Sequence, residues 1–339
     1  MSSNNSRFDF AFIPSGPYRD TIRFIQLGEE LGYRCAWLPD QTFHRDPFAL
    51  LGVCAQETNT ISLGLGLTSP FTRLPVQIAR AAAVVDEVSD GRFKLGLGTA
   101  NAKSVLAPLG LELKRPAARL RDASIIIRRL LAGETVDFEG PDDSLHGVSL
   151  DFTPLRSDLP IYIGTRGPKT LEVAGEVADG VLVESLFNAG GLPYVFDQIR
   201  KGNERAGRSL SDIDVVAWQL VQVTDKGKEA MASLKPWIAY SIRAGPPSAM
   251  RRVGIEDEVV AAVNEAMERG DQEEAAARVT DEAVRCLMIV GNPEQVTEQI
   301  AEVFEEGVDA VNLLLLGSKE AMTATLTRFA REVMPAFPP

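Results

Sequence analysis

The chain has 339 residues, 45% hydrophobic and 24% charged, which is enough to bury a large core and lies within ordinary globular composition. Its net charge of −12 argues against a nucleic-acid-binding surface, while leaving room for a local basic pocket around an anionic ligand. No apolar run approaches the roughly 18 residues that a membrane-spanning helix requires, so no membrane partner is expected.

In chain order, the leading MSSNNSR is polar, lacks the apolar core of a secretion signal and reads as a disordered lead over residues 1–7. Short apolar runs then alternate with amphipathic segments, at 8–13, 34–38, 61–67, 93–98, 160–164, 179–183, 213–223 and 309–316. Between them, apolar residues at helical spacing end at glycine, as at Gly32 and Gly91. Alternation of this kind predicts parallel βαβ units. Residues 134–152 read as a surface β-hairpin insertion, and 225–282 as a mostly helical segment that caps the fold. With no Pro-, Gly- or Ser-rich linker, one (β/α)8 TIM barrel domain over 8–335 is the fold expected, with its site at the carboxyl ends of the strands. Three widely spaced cysteines, Cys35, Cys54 and Cys286, point to a reducing, cytoplasmic setting.

Several chemistries drop out. The two histidines, His44 and His146, cannot build a His-rich metal site, and neither a G-x-S-x-G elbow nor a phosphate-binding G-x-x-x-x-G-K-[ST] loop occurs. Gly96-Leu97-Gly98 opens like a dinucleotide fingerprint, but Asn101 stands at the third glycine; close packing and a ligand role are both open for it.

The strand ends carry more. The third apolar run breaks into TSPFTR (68–73) where one glycine would make a turn, which suits a binding loop on a rigid scaffold. After the fifth run, Gly164-Thr165-Arg166-Gly167-Pro168-Lys169 places a proline where a helix would begin and exposed N–H groups where an anion would sit. Arg73, Lys103, Arg166 and Lys169 follow the third, fourth and fifth strands and are expected to surround one anionic tail. Asp40 directly follows the second strand as a candidate proton acceptor or ring-ordering carboxylate. Trp37 is read as core, and His44 and Arg45 as candidate substrate contacts.

Two blocks, TSPFTRLPVQIARAAAVVDEVSDGRFKLGLGTANAKSVL and PIYIGTRGPKTLEVAGEVADGVLVES, resemble the bacterial-luciferase-like superfamily, most closely its coenzyme F420-dependent reductases of the methylenetetrahydromethanopterin reductase type. The similarity runs from about residue 8 to the C-terminus. It implies the same barrel, a hydride transfer involving F420, and a homodimer formed through barrel helices. It also implies a bulged third strand with a non-prolyl cis peptide at Gly66–Leu67 against the deazaflavin, with Thr68 and Ser69 bonding the ring or loop, and Arg73 facing the anionic tail or anchoring the loop. Asp40 and Gln41 match the family's Asp-His pair. Thr99, Ala100 and Asn101 match the loop after strand four, and Gly164, Thr165, Arg166 and Gly167 the phosphate loop. Three departures stand out: Gln41 replaces the His, Ala11 a strand-one Glu, and Asn101 an Asp. The loss of acids fits an imine, iminium or activated alkene as the small-molecule substrate. An FMN-dependent monooxygenase and a non-catalytic flavin- or deazaflavin-binding protein are the rival readings. The substrate pocket is expected to draw on the hairpin, the helices of 225–282 and residues 188–192.

Overall fold

The structure, a computed structural model, describes residues 7–186, 188 and 190–338. Most of the expected N-terminal lead, and residue 189 of the expected substrate segment 188–192, lie outside these. The strands are β1 (Phe8–Phe12), β2 (Cys35–Leu38), β3 (Ser62–Thr68), β4 (Phe93–Leu97), β5 (Val136–Glu139), β6 (Ser144–Val148), β7 (Ile161–Gly164), β8 (Gly180–Glu184), β9 (Asp214–Val223), β10 (Met288–Gly291) and β11 (Ala310–Leu315). β1, β2, β3, β4, β7, β8, β9 and β11 pair in parallel, and β11 returns to β1 to close a (β/α)8 barrel. These eight are the apolar runs of the sequence.

Alternation along each strand sorts the two faces. Phe8, Phe10 and Phe12 pack outward against helices, whereas Ala11 joins Cys35, Trp37, Tyr162, Leu182, Val216, Trp218 and Ala310 in a separate interior cluster. Trp37 is fully buried, in agreement with its reading as core, and its ring meets Tyr162 edge-on at 5.2 Å and Trp218 at 6.2 Å between centroids. Such large rings fit because the neighbouring strand has glycine at the paired position: a Cβ at Gly64 would strike the Trp37 indole, and one at Gly180 the Tyr162 ring.

The amino-terminal end of the barrel is closed by ions. Asp9, with no exposed surface, accepts from Arg34 Nε at 2.7 Å, Arg34 Nη2 at 2.9 Å and Trp37 Nε1 at 2.9 Å. Arg34 continues to Asp214 at 3.0 Å, which also accepts from the Tyr162 hydroxyl at 2.7 Å. Burial by itself would raise the Asp9 carboxyl, but the charge and hydrogen bonds of Arg34, aided by Lys94 and Trp37, hold it below the usual carboxylate range.

β5 and β6 form the antiparallel hairpin expected at 134–152, and Arg115 ties its tip to helix Pro116–Leu131 through Asp142 at 2.6 Å. The 225–282 segment is helical as expected, with helices Gly227–Ala244, Pro247–Arg252, Asp257–Glu268, Gln272–Arg278 and Asp281–Leu287 beginning within it. β10 is unanticipated. It exists because β9, at ten residues, outruns its ring neighbours, and the backbone of Leu220–Val223 pairs instead with Met288–Gly291.

Candidate active site

The carboxyl ends of the ring strands form a mouth, and the β3 exit is its most ordered part. Register against β4 slips between Leu65 and Thr68, and the Gly66–Leu67 peptide is cis, where the resemblance put it. This bulge turns Leu67 into the barrel. There its side chain fills a bay walled by Gly96, Gly98 and Gly164, at each of which a Cβ would collide with the leucine; at Gly96 a Cβ would also strike the Leu65 carbonyl. The Gly-x-Gly of β4 is thus explained by close packing. Gly66 faces the rings of Trp218 and Trp37 on the other side, leaving its own Cβ position 2.9 Å from Trp218.

TSPFTR then folds on itself. The Ser69 carbonyl accepts from the Thr72 and Arg73 amides at 3.1 and 3.0 Å, and the Ser69 hydroxyl accepts from the Phe71 amide at 3.2 Å. Its ends hold Asp40: one carboxylate oxygen accepts from Thr68 Oγ1 at 2.7 Å and from Arg73 Nε at 3.0 Å. Arg73 reaches on to Asp46 at 2.6 Å, so of its two expected roles the geometry gives the anchoring one. Burial works against the Arg73 charge, yet the two carboxylates outweigh it and raise its pKa. The run of loop residues after β3 is therefore a clamp that fixes one buried carboxylate at the rim.

Gln41, His44 and Arg45 are exposed on the loop after β2, where the His44 amide donates to the Gln41 carbonyl at 2.6 Å. After β4, Thr99 lies beside Ala100, which adopts a left-handed φ of 59°, and Asn101 accepts from the Lys103 and Ser104 amides at 3.0 Å each. Asn101 thus caps the short helix Ala102–Leu106, and Lys103 points to solvent. After β7, helix Pro168–Val177 starts at Gly167 with no side-chain cap, which leaves first-turn N–H groups open to an anion. The Thr165 hydroxyl accepts from the Gly167 amide at 3.2 Å and also contacts the Thr170 hydroxyl; Arg166 and Lys169 flank this start. Of the four cations expected at one anion, Arg166 and Lys169 adjoin the open helix start, whereas Arg73 is held by carboxylates.

Two features escaped the sequence. The Asp9–Arg34–Asp214 group is assembled from residues remote in sequence. Glu184, at the end of β8, lies 3.8 Å from Arg166 Nη2 with its side chain 46% exposed. Its signal was present: it is the charged residue closing an otherwise apolar strand, GVLVE.

A parallel barrel with a bulged third strand, a clamped rim carboxylate and an open helix start, all at the carboxyl ends of the strands, is a (β/α)8 scaffold of the kind enzymes use. Residues 6–310 match the model of the luciferase-like monooxygenase family, and the chain belongs to that family. It is 32% identical over 309 residues to the 5,10-methylenetetrahydromethanopterin reductase of Archaeoglobus fulgidus, covering 90% of this chain and 92% of that one. It is 27% identical to the F420-dependent glucose-6-phosphate dehydrogenase of Beutenbergia cavernae, over 94% of this chain and 93% of the other. Among solved structures, the coenzyme F420-dependent tetrahydromethanopterin reductase of Methanopyrus kandleri superposes with a TM-score of 0.88 at 27% identity, over 98% of this chain and 99% of that one.

Proposed function

We propose that the protein is an F420-dependent oxidoreductase that transfers a hydride between the deazaflavin and an electrophilic carbon, an imine, iminium or activated alkene, of a small molecule. The observation that carries this reading is the β3 exit: the bulge at Gly66–Leu67, the glycine bay that receives Leu67, and the clamp on Asp40 occur together at one rim. The residues fit the cofactor at its anionic end as well, since the uncapped helix start at Gly167–Pro168 with Arg166 and Lys169 beside it offers N–H groups and positive charge. When bound, F420 supplies the hydride.

The chain's own residues supply shape and orientation. Leu67 gives an apolar wall, Thr68 and Arg73 fix the carboxylate of Asp40, and Ser69 rigidifies the loop. Asp40 holds the ring, with Gln41 at the substrate side. Thr99, Ala100 and Asn101 line the neighbouring edge. At three positions where the resemblance implies His, Glu and Asp, this chain has an exposed amide, a buried methyl and a helix cap. A reaction that needs no proton from the protein suits that set, because an iminium carbon accepts hydride while its π pair moves to nitrogen.

A homodimer in a reducing cytoplasm completes the proposal. It is supported by an apolar groove of about 690 Å³ between helices Pro47–Gln56 and Pro75–Val88, where Val53 and Val84 are exposed, and by three free cysteines. Among the described residues no helix is long and apolar enough to cross a membrane.

The test is anaerobic oxidation of reduced F420, followed by absorbance, against a panel of imines, iminium ions and activated alkenes. Substrate-dependent oxidation is expected. Turnover only with FMN and oxygen would make the monooxygenase reading correct, and tight F420 binding with no turnover on any panel member would favour a binding protein.

A further inference from the structure

On β8, Gly180 faces the Tyr162 ring and Leu182 belongs to the interior cluster, while Val181 and Val183 pack outward. The period of two therefore directs Glu184 inward, one step above Leu182 toward the mouth. Its backbone is level with Trp218, an interior ring. The inner face of its own strand is otherwise Gly180 and Leu182, and the ionisable group that meets it is Arg166 from the β7 exit. Asp40, by contrast, is bound by Thr68 and Arg73 and its side chain is only 7% exposed. Glu184 is thus the more open of the two carboxylates, with a 46% exposed side chain and a long 3.8 Å ion pair to Arg166. With the carboxylate half in solvent and the nitrogen 3.8 Å away, the pair is loose enough for a ligand to displace it.

We infer that Glu184 is a substrate-selecting residue that makes the mouth prefer a cationic hydride acceptor, an iminium, over a neutral one. This rests on the F420 reading: an anionic cofactor tail that draws on Arg166 leaves Glu184 with its charge uncompensated above the apolar inner face of β8. A positive ligand there compensates the charge, and a neutral one does not. The net charge of −12 works in the same direction by concentrating cations near the protein. In the reaction, reduced F420 gives a hydride to the iminium carbon and a proton to solvent, the C=N π pair becomes the amine lone pair, and oxidised F420 remains. Glu184 touches the cation and exchanges no proton.

The experiment measures, by calorimetry on the F420-loaded protein, the affinities of N-methylisoquinolinium and of neutral isoquinoline at mildly alkaline pH, in wild type, Glu184→Gln and Glu184→Asp. Wild type should prefer the cation by about 10-fold or more, Glu184→Gln should bring the ratio near one, and Glu184→Asp should keep most of it. An unchanged ratio in Glu184→Gln, equal loss of both ligands, or failure of wild type to bind the cation overturns the inference. F420 affinity, read by cofactor fluorescence in the same proteins, separates the two failures. Wild type that binds no F420 defeats the functional reading, whereas F420 binding without cation preference defeats only the role of Glu184.

Discussion

The two ends of the barrel use charge in opposite ways. At the amino-terminal end, Asp9 and Tyr162 are buried and Arg34 and Asp214 half-buried, interlocked at 2.7–3.0 Å, and Lys94 at 3.9 Å from Asp214 gives the two carboxylates a second cation. At the mouth, one carboxylate is clamped, another is half open at 3.8 Å from its arginine, and a helix start is left uncapped. The first arrangement fixes the barrel, and the second leaves polar groups whose partners can come from outside. In a (β/α)8 barrel that division follows from geometry, because loops at the carboxyl ends vary while the amino end must only close the core.

Breaking the closed end should have the largest effect. Arg34→Met strands the Asp9 carboxylate in the interior and should cost about 3–5 kcal/mol in urea unfolding. Asp9→Asn tests the same pair by pH. Because the folded-state pKa of Asp9 is lowered, the stability it contributes is complete above the unfolded carboxylate pKa of about 3.9 and is lost as pH falls toward the folded value. The gap between wild type and Asp9→Asn should therefore be widest near neutral pH and shrink in acid.

Next in size are the glycines beneath Leu67. Gly96→Ala drives a methyl against the Leu65 carbonyl, which cannot turn aside, and should lose about 1–3 kcal/mol of stability. Gly164→Ala meets only the Leu67 side chain, so its main effect should be on F420 affinity, read by cofactor fluorescence. Reversal of that order would show the bay to be structural alone. Arg73→Lys removes the fork that joins Asp40 to Asp46; since Arg73 is 31% exposed, stability should hardly change while the hydride-transfer rate falls roughly 10-fold.

The smallest effect lies outside both ends. Burial, with help from Asp143 and Asp142 and against Arg121, raises the Asp122 carboxyl pKa, and its Oδ2 is buried without a partner. A raised folded-state pKa means that stability falls as pH rises through the unfolded value and on through the folded one. Asp122→Asn should therefore raise Tm slightly at neutral pH and lose that advantage in acid.

How much of this was legible in the sequence follows from what is local. The eight ring strands announce themselves as apolar runs between amphipathic helices, and the hairpin by its Gly, Pro and Asp tip. β10 could not be read, because four residues carry no period and its partner is merely the overhang of β9. The loops after β3, β4 and β7 were found because strand ends carry the unusual residues. The partners within them were not: that Arg73 turns to Asp40 and Asp46 depends on where the β2 and β3 exits meet in space. Glu184 was visible in GVLVE, yet its significance needed the inward phase of β8 and the commitment of Asp40, neither of which a sequence displays.

The central claim is that the mouth holds a deazaflavin with an anionic tail, and the most direct test is titration of the protein with F420 and, separately, FMN at low and high salt. The account predicts F420 binding about 10-fold or more tighter than FMN, weakened by salt through the Arg166–Lys169 region. Preference for FMN, or F420 affinity indifferent to salt, would contradict it.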